Sequence, residues 1–233
     1  MISKHILGTF DEGLATLRNN VMMMASLTER SLDNALNGLM QRDDDLCATA
    51  VADDEEIDQL EKQIDKDGID VLLRFQPVAS DLRRVVSAMK LSTNLERMGD
   101  QAVSIGRKAR KLNRHPALPE VELITPMREH AMRMFKDSVD SYVQENVGLA
   151  LGLKARDKAL DELNANASRC LIERMAQDPE QLRGYLNLMF IARHLERVGD
   201  HATNIAEDAV FAAAAEDIRH QPMTLAGGEA AAG

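Results

Sequence analysis

The chain has no tryptophan, two tyrosines and five phenylalanines in 233 residues, so aromatic rings supply little of whatever core it builds. Its two cysteines, Cys47 and Cys170, are too few for a disulfide framework and suit a reducing compartment. No stretch approaches the ~20 consecutive apolar residues of a membrane-spanning helix. The opening MISKHILGTFDEG has neither the apolar core nor the small-residue cleavage site of an export signal. These absences predict a cytoplasmic protein. Positive charge is also short: 28 Lys and Arg against 38 Asp and Glu leave a net charge of −10. That balance argues against nucleic acid and against direct binding to anionic membrane, both of which need a basic surface. Any membrane contact is expected only indirectly, through partners. There is no Gly-rich phosphate loop, no repeated nucleophile or general base, and no Glu-x-x-His of the di-iron carboxylate type.

What is present is Leu, Ala, Val, Ile and 13 Met, the apolar set of helix-on-helix packing. From Phe10, the positions Leu14, Leu17, Val21 and Met24 follow helical three-four spacing, continuing less strictly through Leu32, Ala35, Leu36 and Leu39. The polar run 41–45 predicts a turn with an Asp cap, and a second helix over 46–75 with Ile57, Leu60, Ile64 and Val71 inward. Pro77 ends it. Ser80 or Asp81 is the expected cap of a third helix reaching Leu112, and 113–119 reads as a linker. The second half repeats the plan with helices over 126–154, 157–176 and 178–216. Thr125-Pro126 supplies a cap and a first-turn proline. No strand signal is found. The expected fold is all-α, two tandem pseudo-repeated three-helix bundles of six long helices. Their boundaries are 1–115 and 116–218, with a disordered tail over 219–233.

The strongest single feature is an internal echo. LERMGD from Leu95 returns as LERVGD from Leu195, with five of six positions identical one hundred residues apart. Leu82-Arg83, Met89, Ala102 and Ile105 also recur at that offset. Such a period points to two copies of one small domain. The repeated acids, Glu96/Asp100 and Glu196/Asp200, stand four apart on one helical face, where like charges repel. They continue a mostly apolar stripe, which predicts partial burial and a need for partners. A second match lies on the preceding helices. Asp54 and Asp58 correspond to Asp157 and Asp161 at an offset of 103, so three residues are missing from the second copy's connection into its third helix.

Each half therefore offers four carboxylates from two facing helices: Asp54, Asp58, Glu96 and Asp100, then Asp157, Asp161, Glu196 and Asp200. Oxygen-rich sets suit hard or borderline metal cations. Salt bridges to Arg83, Arg84 or Arg183 are the competing use, and they leave a purely structural helical adaptor as an alternative. A metal-dependent, carboxylate-bridged enzyme is the other. His5, His130, His194 and Cys170 read as packing or surface residues, and Met22-Met23-Met24 as helix filling. Gly99 and Gly199, costly inside helices, suggest close helix approach or room beside the acids.

QPVASDLR (76–83), LERMGDQA, LERVGDHATNIAED (195–208) and the two-copy layout resemble the PhoU family of phosphate-transport regulators over about residues 5–215. The resemblance implies two three-helix bundles and multinuclear metal clusters on the eight carboxylates just named. Iron or zinc is the metal expected, with manganese, magnesium or nickel also admitted by an all-oxygen site. It further implies a non-enzymatic, often homodimeric protein that restrains phosphate uptake and the phosphate-starvation response. The implied partners are the ATPase subunit of the phosphate ABC transporter and the phosphate-sensing histidine kinase. One departure is 177–181, where QDPEQ replaces QPVASD.

Overall fold

Three-four apolar spacing becomes long rods packed side by side. The computed structural model describes residues 2–219, with side chains from residue 9; the expected tail lies outside this range from His220 onward. Helix α1 (Ile2–Met40) buries Leu17, Val21, Met24, Leu32, Leu36 and Leu39 along one stripe. Helices α2 (Asp44–Ala52) and α3 (Asp54–Phe75) form the second rod, and α4 (Ala79–Asn113) the third. After a 3₁₀ turn at Pro119–Leu123 come α5 (Ile124–Val143), α6 (Val147–Gln177) and, past a second 3₁₀ turn at Pro179–Gln181, α7 (Leu182–Ala214). No strand occurs among the described residues, and none of their helices is long and apolar enough to cross a membrane.

The second rod is not the single helix expected. It breaks at Asp53, whose carboxylate accepts from the Arg30 guanidinium of α1 at 2.8 Å. The corresponding tie in the second half has reversed polarity: Arg156 of α6 pairs with Asp137 of α5. The expected start of the fifth rod at 157 is also corrected, because the chain turns at 144–146. Glu145 takes φ 51°, and the Asn146 side chain accepts from the Leu149 N–H at 3.0 Å, capping α6 ten residues earlier. Its counterpart is Asp43, which caps α2 by accepting from Asp45 and Leu46. Asp43 and Asn146 are 103 apart, so the offset of the acidic pairs already holds at these turns. Neither Ser80 nor Asp81 caps α4. The backbone makes that corner instead, with Gln76 and Ala79 both left-handed at φ 47° and 51°. Thr125, read as a cap, lies inside α5.

The two bundles meet along α4 and α7, which run antiparallel. As numbers rise along α4 they fall along α7: Arg83 reaches the Ala212 carbonyl, Lys90 pairs with Asp208, and Asn94 meets His201. Further along, Gln101 meets His194, and Lys108 lies 4.1 Å from the centre of the Phe190 ring. The hundred-residue repeat thus becomes a local two-fold centred near Arg97-Met98 and Arg197-Val198. The Asn94–His201 and Gln101–His194 contacts are counterparts under it.

Candidate functional site

Two acidic half-sites lie at the contacts of α3 with α4 and of α6 with α7. In the first, α3 presents Asp54 and Asp58, and α4 presents Glu96 and Asp100. Burial pushes the Glu96 carboxyl up to about 7, reinforced by the nearby charges of Asp100, Glu61 and Asp58. Burial also raises Asp54, followed by Asp58 and Asp100, with Arg107 opposing. In the second, burial lifts Asp157 to about 6, aided by Asp200, Asp161, Glu196 and Glu207. Asp200 is raised by burial and then by Asp161, against Arg193 and Arg197. The carboxylates of each half therefore lie near enough for their charges to act on one another. They sit at the edge of the apolar stripe: Asp54, Asp58, Glu96, Asp157 and Glu196 are half-buried, while Asp100, Asp161 and Asp200 are exposed.

One acid escaped the sequence reading. Glu61, one turn beyond Asp58 on the same face of α3, is raised by burial and by Asp65, with the neighbouring Thr93 hydroxyl opposing. Its counterpart is Asn164, so the repeat could not reveal it. Helical spacing from Asp54 and Asp58 could have.

The competing arginines are mostly engaged elsewhere. Arg83 donates to the Ala212 carbonyl, and Arg84 pairs with Asp81 and Glu145. Among the described residues, Glu196 alone of the eight carboxylates pairs with Arg or Lys. Arg193 grips both its oxygens at 2.6 and 2.8 Å, and Asn164 also donates to it. Beside this half-site two oxygens, Asn164 Oδ1 and Thr203 Oγ1, are buried without hydrogen-bond partners. Among the described residues no three Asp, Glu, His or Cys side chains converge as ligands. A bound cation therefore requires these side chains to rotate together. The donor chemistry fits one, since among the described residues no ion pair holds the crowded carboxylates of the first half-site, where Arg97 and Arg107 are the smallest influences on Glu96 and Asp54.

The remaining candidates behave as filling or surface groups. His130 Nε2 meets the Arg156 carbonyl at 2.8 Å, and Cys170 is exposed. Met24 is buried, Met22 packs on the core and Met23 is exposed. His194 and His201 face α4 across the bundle seam through Gln101 and Asn94. His5 lies outside the described side chains.

The glycine of the echo is what lets the acidic helices close. A Cβ at Gly199 would stand 2.5 Å from Leu160 Cδ2 and 3.3 Å from Asp157 Oδ1, whereas at Gly99 the nearest atom is Ile57 Cδ1 at 3.1 Å. Gly199→Ala is expected to cost about 1 kcal/mol net, overpacking outweighing the helix-propensity gain, and to exceed the cost of Gly99→Ala. Urea unfolding of the two variants compares them; equal midpoints would refute the close approach at Gly199.

This geometry defines a class: a duplicated helical protein whose two halves each set an acidic pair on the second rod against another on the third. The model of the PhoU domain matches residues 21–109 and again 124–209, and the chain belongs to the PhoU family. It is 33% identical over 225 residues to the phosphate-specific transport system accessory protein PhoU homolog of Pseudomonas aeruginosa, covering 96% of this chain and 93% of that one. The homolog from Zymomonas mobilis is 37% identical over 209 residues, 90% of this chain and 88% of the other. The crystal structure of PhoU from P. aeruginosa superposes with a TM-score of 0.86 at 32% identity, covering 89% of this chain and 100% of that one. That of the phosphate transport system regulatory protein PhoU from Streptococcus pneumoniae gives 0.81 at 25%, covering 89% and 98%. These relatives are named as accessory or regulatory proteins, not as enzymes.

Proposed function

We propose that this chain is a cytoplasmic negative regulator of phosphate uptake and of the phosphate-starvation response. It acts without catalysis, as a homodimeric, metal-binding adaptor between the ATPase subunit of the phosphate ABC transporter and the phosphate-sensing histidine kinase. Family membership carries the regulatory reading, and the relatives' names tie it to phosphate transport. The observation that carries metal binding is Glu96, crowded by Asp100, Glu61 and Asp58, with Arg97 the smallest influence on it and no ion pair to it among the described residues. Asp54, Asp58, Glu96 and Asp100 would hold metal in the first bundle, and Asp157, Asp161, Glu196 and Asp200 in the second. Iron or zinc suits such oxygen sets, as do manganese, magnesium or nickel, because availability decides among them. Bound metal would supply the counter-charge that ties the second and third rods together and so fixes the surface shown to partners. The Arg193–Glu196 pair favours the structural-adaptor alternative, though for one carboxylate of the eight.

Deletion from a strain with a single family member is expected to leave phosphatase expression unrepressed in high phosphate. Normal repression there would sink the regulatory reading. Elemental analysis after gel filtration is expected to show metal in the parent and a loss in Glu96→Ala and Glu196→Ala. Undiminished metal in both variants would remove the clusters from the account.

A further inference from the structure

Building on the metal-binding reading, we infer that the two half-sites are unequal toward cations. The first is the tighter, and the Arg193 guanidinium is the resident counter-charge that weakens the second. The half-sites share four carboxylates each but differ at matched positions. Glu61 of the first is Asn164 in the second, and Thr93 of the first is Arg193. These exchanges fall at the contact itself. Both Glu196 oxygens accept from one Arg193 nitrogen, Nη1, at 2.6 and 2.8 Å, and Asn164 also donates to Glu196, so a metal ion must displace a partner already in place. Glu96 instead has a third crowding carboxylate, Glu61, and at the matched position a neutral Thr93 whose hydroxyl donates to the Met89 carbonyl.

A further exchange, Arg107 for Glu207, has the opposite sign. It is the smaller influence, because Arg107 and Glu207 act at the Asp54 and Asp157 ends of the half-sites, and each is the least of the charges acting there. A charge acting without an ion pair is weaker and is screened, unlike one in direct contact with the ligand oxygens. Binding at the second half-site therefore includes breaking the Arg193–Glu196 ion pair, whereas among the described residues no ion pair holds the first.

Equilibrium titration of the metal-stripped full chain with Zn²⁺, under a competing chelator, is expected to resolve two classes at least tenfold apart. Glu96→Gln with Asp100→Asn should abolish the tighter class, and Glu196→Gln with Asp200→Asn the weaker. Arg193→Thr should tighten the second class at least tenfold, and Thr93→Arg should weaken the first by a similar factor. Arg193 is exposed, so its replacement should not disturb the fold; circular dichroism verifies this, and Arg193→Gln serves as the second variant. If the parent takes up no Zn²⁺ at either half-site, the metal-binding reading and this inference fall together. If both fill at one concentration, if the tighter class maps to Glu196 and Asp200, or if Arg193→Thr and Arg193→Gln leave both classes unchanged, the inference alone is overturned.

Discussion

Gly38→Ala is expected to destabilise the protein by about 2–3 kcal/mol, although the same change in an open helix would stabilise it by up to ~1 kcal/mol. Gly38 lies in the last turn of α1, where α2 returns across it. An added Cβ would meet Cys47 Sγ, the Asp43 carbonyl oxygen at 2.8 Å and the Cys47 nitrogen at 3.0 Å. The last two are backbone atoms, held by the Asp43 cap on Asp45 and Leu46 and by the Asp43 N–H bond to the Gly38 carbonyl. Relief means lifting α2 off α1. That would unseat Cys47 and Ala50, both fully buried, and disturb α2 against Gly106 of α4. Burial pushes the Cys47 thiol up to about 11, so the site holds a neutral packing group and gains no ionic rescue. Gly152 is the matched control, since a Cβ there meets nothing within 4 Å. Urea unfolding should show the midpoint falling by ~1 M in Gly38→Ala for a slope of ~2 kcal/mol/M, and rising slightly in Gly152→Ala. A midpoint for Gly38→Ala at or above the parent's would show that the α1–α2 contact is looser than described.

The rods were legible because burial along a helix leaves a periodic trace. Leu17, Val21, Met24, Ile57, Ile64 and Val71 were read as inward from spacing alone, and all are buried. The two half-sites were legible through duplication, since Asp54/Asp157 and Glu96/Glu196 announced each other. What lay outside duplication and period was missed. The turn at 144–146 depends on one Asn cap and a left-handed Glu145, and neither interrupts the apolar pattern enough to mark a boundary. The break at Asp53 and its tie to Arg30 are tertiary, and the reversed pair Asp137–Arg156 defeats any search for a repeated motif. Glu61 was hidden for the same reason: the repeat replaces it with Asn164. Repetition revealed what the halves share, and the differences that set them apart emerged only from contacts.

Replacing both seam histidines with glutamine is expected to protect the metal-free protein against acid by about 2 kcal/mol in sum. This figure discounts the full pKa shifts for partial exposure. His194 and His201 are each pushed down to about 4 by burial first, then by Lys108 and Arg197 for His194 and by Arg97 and Arg197 for His201. Unfolded, each titrates near 6.5. Between these values the unfolded chain binds more protons, so the stability owed to neutral histidine is complete above pH 6.5 and drains away as pH falls toward 4. Glu96 and Asp157 act in the opposite sense. Their folded values of about 7 and 6 lie above those of unfolded carboxylates, so their contribution is full in acid and lost as pH rises through those values. Parent stability alone therefore mixes two opposed trends across one window. The difference between parent and His194→Gln/His201→Gln separates them, because the carboxylates contribute equally to both proteins. Glutamine stays neutral and can still donate to Gln101 Oε1 and Asn94 Oδ1, so the seam's hydrogen bonds persist. Urea unfolding after chelator treatment should give nearly equal stabilities at pH 8 and a clear advantage for the variant at pH 5. An advantage of the same size at both pH values would mean that the histidines do not carry the acid loss.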